Sequence, residues 1–129
     1  MIGPKAPKPS KGEERAAYSA ATDRGGGRCA RCSCSPVQRD HRKNRSQGGL
    51  TTLANLQLLC VTCHQWKTEN PADALVEGFA VPSYARPELW PAWHVGIGWL
   101  LYLDGPDENG RLVQPINEST AHMLMGGGR

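Results

Sequence analysis

Cys29-Ala30-Arg31-Cys32 and Cys60-Val61-Thr62-Cys63-His64 bracket a stretch that also carries Asp40-His41 and Asn55, and the reading of this stretch decides the fold. Each C-x2-C pair offers two sulfurs from one tight turn, and two such knuckles satisfy the tetrahedral all-thiolate coordination of structural zinc. The 27 residues between the pairs (33 to 59) exceed the about 15 to 20 of a simple zinc ribbon, so the insert needs its own explanation. Cys34 is the fifth cysteine and reads as a free thiol.

The insert supplies a second polar group of residues, separate from the thiolates. Val37 to His41 has the length of one strand, ending at Asp40-His41. Arg42 to Gly49 follows as a polar loop holding Arg42, Lys43 and Arg45, with no apolar residue until Leu50. A long polar loop in so small a unit is more often functional than accidental, and these three cations are expected to contact phosphate. Leu56 to Leu59 reads as a buried second strand. Thr62 with Gln65 has the capping-box pattern for a helix running to about Glu69, which places Cys63 and His64 in its first turn.

This order of residues resembles the HNH endonuclease family, specifically the small zinc-stabilised HNH proteins of phage and bacterial genomes. The resemblance rests on C-x2-C, Asp40-His41-Arg42, Gly48-Gly49, Asn55-Leu56-Gln57-Leu58-Leu59-Cys60 and Cys63-His64-x-x-Lys67-Thr68, about 40 residues in all. It implies an α+β fold with a ββα-metal (His-Me finger) core, stapled by structural Zn²⁺ on Cys29, Cys32, Cys60 and Cys63. It also implies a metal-dependent endonuclease that nicks or cuts DNA with little sequence specificity. By the same resemblance His41 is the general base, Asp40 and His64 are ligands of a catalytic Mg²⁺ or Mn²⁺ (Ni²⁺ or Zn²⁺ being alternatives), and Asn55 constrains the loop and hydrogen-bonds His41. Lys67 is a candidate phosphate contact. Many family members carry a further metal-binding His one helical turn on; here that position is Thr68, a poor ligand, which favours a weakly held ion. Similar phage proteins lie beside packaging genes, so terminase or portal proteins are implied partners.

Working outward, residues 1–12 hold three Pro and three Lys and read as a disordered basic tail. The HNH domain is expected over 13–81 with its core at 29–70. Glu13 to Thr22 is Ala-rich and helix-compatible, with Ser10 and Glu13 in capping-box positions and Gly25 to Gly27 as terminator. Asn70-Pro71 starts a second short helix, through Glu77, closed by Gly78. Residues 82–129 read as a Pro/Trp-rich segment packing on the core, a β-hairpin over about 98–113 and a frayed tail.

Composition bounds the function classes. Residues 1–70 hold 12 Lys/Arg against 5 Asp/Glu, a balance of +7, whereas residues 71–129 hold 3 against 7, a balance of −4. The half with the metal motifs is thus the basic one, which suits a polyanionic partner. Met1, Lys5, Lys8 and Lys11 lead into no apolar segment of signal-peptide type, and there is no apolar run of 18 residues, so no membrane association is expected. Cysteines held by zinc fit a reducing compartment, so the expected location is cytoplasmic, in a bacterial host if the chain is phage-encoded. A monomer or weak dimer is expected. The competing function is a catalytically silent zinc-knuckle module that binds nucleic acid or protein; Asp40, His41, Asn55 and His64 together favour the enzyme.

Overall fold

The computed structural model describes residues 7–126. The first helix, α1 (Lys11–Gly25), starts at the capping box: Ser10 Oγ accepts the Glu13 amide at 3.1 Å while the Glu13 carboxylate accepts the Ser10 amide at 2.9 Å. Lys11 and Gly12, expected to be disordered, belong to this helix because the cap sets its first turn before them. The remainder of that expected tail at residues 1–6 lies outside the described residues. Gly26, at φ 61°, turns the chain left-handed and ends α1, as the glycine triplet implied.

The strands β1 (Gln38–His41) and β2 (Leu56–Leu59) pair antiparallel, with Gln38 opposite Leu59 and His41 opposite Leu56. All four residues of β2 are buried, because α1 covers one face through Leu56 and the zinc-knuckle core takes Leu59 on the other. The loop joining the strands folds back on itself through short 3₁₀ turns at Arg45–Gln47 and Leu53–Asn55. Gly49 is required there, since a Cβ at this position would lie 1.9 Å from the Lys43 carbonyl oxygen.

The helix α2 (Val61–Glu69) follows β2 directly and completes strand, loop, strand, helix. Its N-cap is Cys60, whose sulfur accepts the Cys63 amide at 3.5 Å, not Thr62 as the capping-box pattern suggested. The knuckle geometry wins because it already places a sulfur at the helix entrance, two residues before the hydroxyl. Next comes α3 (Pro71–Val76), with Pro at its first position. Cys29, Ala30, Leu59, Cys63, Ala74 and Phe79 form one buried cluster, with Trp66 and Trp93 against it.

The C-terminal third is more ordered than its sequence suggested. The expected hairpin is present as β4 (Gly98–Tyr102) and β5 (Val113–Pro115), with Tyr102 opposite Val113. A third strand, β3 (Ala92–His94), pairs with the other edge of β4 and makes a three-stranded antiparallel sheet. The tail expected to fray, from residue 114, contributes Gln114 and Pro115 to β5 and then forms α4 (Glu118–Leu124), capped by the Asn117 side chain, which accepts the Thr120 amide at 2.7 Å. Its last residues, 127–129, lie outside the described residues. This sheet packs Ala92, Leu100 and Tyr102 onto Ala54, while Asp104 Oδ1 accepts the Ala54 amide at 2.9 Å. Among the described residues no helix is long and apolar enough to cross a membrane.

Candidate metal centres and the cleft beside them

Two turns bring the four paired cysteines together. The ligating sulfurs of Cys29, Cys32, Cys60 and Cys63 all lie within 4.8 Å of one another, with Cys32 and Cys60 at 3.6 Å. Sulfurs bound tetrahedrally at about 2.3 Å stand roughly 3.8 Å apart, so this cluster fits a structural zinc ion. Cys29 and Cys63 are buried and join the hydrophobic core, whereas Cys34 is exposed and takes no part. Crowding four thiols sets their acidities apart. Burial would raise Cys29, but amides of Cys60, Cys32 and Arg31 outweigh it and bring the thiol down to about 7. Cys63 is pushed up to about 12, by burial first, against the lowering effect of Arg31, and then by its thiol neighbours. A zinc ion here would be held by thiolates, so its binding would release protons and its binding free energy would be folding free energy.

Asp40 and His64 form a second constellation. β1 delivers Asp40 and the first turn of α2 delivers His64, with Asp40 Oδ1 and His64 Nε2 3.3 Å apart. Two ligand atoms at about 2.1 Å from one ion and near a right angle are about 3 Å apart, so this pair fits two adjacent positions around a divalent cation. The other carboxylate oxygen is already engaged: Oδ2 accepts Lys67 Nζ at 2.6 Å and Gln57 Nε2 at 2.9 Å. Gln57 is itself fixed by donating to the Phe79 carbonyl at 2.7 Å. Asp40 is thus held with one oxygen turned to His64. A cleft of about 230 Å³ opens here, lined by Asp40, Asn44, Gln47, His64, Lys67 and Thr68 among others.

His41 occupies the neighbouring position but a different environment. It does not line that cleft; its ring meets Thr51 Oγ1 through Nε2 at 2.9 Å and lies edge-on to Tyr18, with ring centroids 6.2 Å apart. Successive strand residues point to opposite faces, which separates the His41 ring from the Asp40 carboxylate. Burial, followed by the Arg45 charge, lowers the His41 pKa below its ordinary 6.5, favouring the neutral imidazole that can accept a proton.

Of the two roles the resemblance gave Asn55, its side chain makes no hydrogen bond to His41 but does constrain the loop: Oδ1 accepts the Lys43 amide at 2.7 Å, and Nδ2 donates to the carbonyls of Lys43 at 3.0 Å and Leu50 at 2.8 Å. Asn55 is fully buried, so its amide has no competitor but these backbone groups. The ring of His41 is oriented by Thr51, which sequence reasoning missed; Gln57, the partner of Asp40, was missed as well. The alternation along β2, with Gln57 opposite Asp40, was the available signal.

The expected phosphate contacts divide. Arg42 is 1% exposed and donates to the carbonyls of Ala54, Pro87, Trp90 and Pro91, so it is a structural tie and not a surface cation. Lys67 is also buried, its ammonium bound to Asp40 and to the His41 carbonyl at 2.8 Å, because helix periodicity aims it inward. Lys43 reaches the Ala85 carbonyl at 3.1 Å and is half-buried. Arg45 remains exposed, donating to Thr51 Oγ1 at 2.9 Å and to the Tyr18 hydroxyl at 3.4 Å.

Comparison with curated proteins and with solved structures returned no match. The model of the family described as HNH endonuclease matches residues 29–70, the segment that holds all four clustered cysteines together with Asp40, His41, Asn55 and His64.

Proposed function

We propose that this protein is a metal-dependent endonuclease that hydrolyses DNA phosphodiester bonds, by nicking or cutting with low sequence specificity. The observation that carries the reading is the approach of Asp40 Oδ1 and His64 Nε2 to 3.3 Å in a cleft distinct from the cysteine cluster. A silent zinc module has no use for a second ligand pair held in this way. Asp40 and His64 would hold Mg²⁺ or Mn²⁺, which when bound supplies Lewis-acid polarisation of the scissile phosphate. Gln57 and Lys67 fix the Asp40 carboxylate, and Asn55 fixes the loop that carries the strand end. His41, neutral and oriented by Thr51, takes the proton from the attacking water. For both groups to act on it, the scissile phosphate would lie across the end of β1, where the Asp40 and His41 side chains diverge. A phage-packaging partner of terminase or portal type is the context the resemblance favours, and zinc-held cysteines favour a reducing, cytoplasmic location.

A plasmid-nicking assay across Mg²⁺, Mn²⁺, Ni²⁺ and Zn²⁺ tests this. The wild-type protein is expected to nick with at least one ion, and His41→Ala to lower the rate by roughly 10² to 10⁴ with zinc content and fold retained. Wild-type nicking in the His41→Ala variant, or no cleavage of plasmid or single-stranded DNA with any ion, would transfer the reading to the zinc-knuckle binding module.

A further inference from the structure

The helix α1 lies outside the matched segment, yet one of its side chains organises the charge beside His41. Arg39 and His41 share a face of β1 by alternation, opposite to Asp40. The Tyr18 ring sits against both: Arg39 Cζ is 4.7 Å from its centroid, and His41 meets it edge-on. From the following loop Arg45 reaches the Tyr18 hydroxyl at 3.4 Å. One aromatic side chain therefore gathers two arginines from separate segments. Arg39 and Arg45 are exposed, and neither is in an ion pair among the described residues. Glu14, one helical turn before Tyr18, is the acidic group whose charge reaches His41 from the same helix. Two guanidinium groups against one carboxylate leave this face cationic.

We propose that Tyr18, Arg39 and Arg45 form a phosphate-contacting surface beside His41, which makes α1 part of the nucleic-acid interface. The proposal rests on DNA being the substrate, as argued above. It also relocates the electrostatic contact, since Arg42 and Lys67 are committed inside the molecule. A guanidinium already held loses less freedom on binding than a free one; the Tyr18 ring holds Arg39, and the Tyr18 and Thr51 hydroxyls hold Arg45. Tyr18 is a positioning residue here; the arginines make the contacts.

The test is binding of a short mixed-sequence DNA duplex over a range of NaCl concentrations without added divalent ions, beside the cleavage assay. Each phosphate contact contributes about 0.9 to the slope of log K against log salt. Arg39→Ala and Arg45→Ala should each reduce its magnitude by about 1, and the double variant by about 2. Arg28→Ala, the same charge change at the exposed edge of the first knuckle, should leave the slope unchanged. Tyr18→Leu should reduce it as well, whereas Tyr18→Phe keeps the ring under Arg39 but removes the hydroxyl that Arg45 meets, and should recover only the Arg39 share of the loss. Unfolding midpoints and zinc content of the variants identify any effect that comes from misfolding. An unchanged slope in the double variant, or an equal fall in Arg28→Ala, overturns the surface. That slope pattern without any cleavage supports the surface and sinks the endonuclease reading; no DNA binding by the wild-type protein overturns both.

Discussion

Arg42 has a guanidinium wholly inside the molecule, facing four backbone carbonyls and no carboxylate at bonding distance. Burial lowers its pKa to about 10, still well above neutrality, so the side chain folds in as a cation. Hydrogen bonds from charged donors are strong, and their loss leaves the carbonyls of Ala54, Pro87, Trp90 and Pro91 without this donor. Arg42→Ala is therefore expected to destabilise by about 2 to 4 kcal/mol. Arg42→Lys should recover little, because an ammonium cannot span the fork. Denaturant unfolding measures both, and a loss within about 0.5 kcal/mol would deny the network an energetic role. In sequence this arginine looked like its neighbours Lys43 and Arg45. Charge is a local property, whereas the carbonyls that desolvate Arg42 lie 12 to 49 residues further along the chain. Asn55 was legible as a loop residue for the same reason that its partner was not: the amide is in the motif, but which backbone groups surround it depends on how the loop folds back.

At the scale of elements, α2 shows how ligand spacing and helix geometry reinforce each other. Cys60 caps the helix with the sulfur it also contributes to the cluster, Cys63 and His64 fall in the first turn, and Lys67 comes round one turn later to Asp40. Cys60→Ser separates the two duties of that residue. Serine is a strong N-cap but supplies no thiolate, so capping alone would keep or improve the helix. With zinc as the staple, the variant should lose bound metal and unfold at lower temperature, read by zinc quantitation and circular dichroism. Retained zinc and fold would contradict the four-cysteine site, whereas Cys34→Ser should change neither. These elements were legible because spacing fixes them: two C-x2-C knuckles, a buried Leu56–Leu59 run and the Ser10 and Asn70-Pro71 helix starts all act within a few residues. β3 and α4 were not, since a three-residue strand has no periodicity to read, and a seven-residue helix after Pro115 carries only the Asn117 cap as a signal.

Across the whole molecule the C-terminal third and the motif-bearing segment are not separable. Ala54 is covered by Ala92, Leu100 and Tyr102, and three of the four carbonyls that accept from Arg42 lie beyond residue 86. A chain ending at residue 81 would expose the Ala54 surface and leave a buried guanidinium without three of its four acceptors. It should bind zinc yet unfold more readily than the full chain in the presence of the metal; equal stability would show that the sheet is an independent appendage.

The cysteine cluster and the proposed second metal position differ in hardness and number of ligands, and that difference should appear in how the whole protein responds to chelation. Four thiolates, two of them buried, enclose one position. Asp40 and His64 would offer one oxygen and one nitrogen at the other, with His64 about half exposed and the Thr68 hydroxyl donating to the His64 carbonyl at 3.1 Å. Soft sulfur ligands hold zinc tightly, whereas two hard or borderline groups at an open cleft hold Mg²⁺ or Mn²⁺ weakly. Mild chelation should thus leave zinc bound and the circular dichroism spectrum unchanged while nicking stops, and added Mg²⁺ or Mn²⁺ should restore it. His64→Ala should shift the metal dependence to higher Mn²⁺ without releasing zinc, because the side chain faces Asp40 and lies outside the cysteine cluster. Loss of zinc from His64→Ala would instead place that imidazole in the structural site, and simultaneous loss of fold and activity on mild chelation would mean that a single metal position serves both.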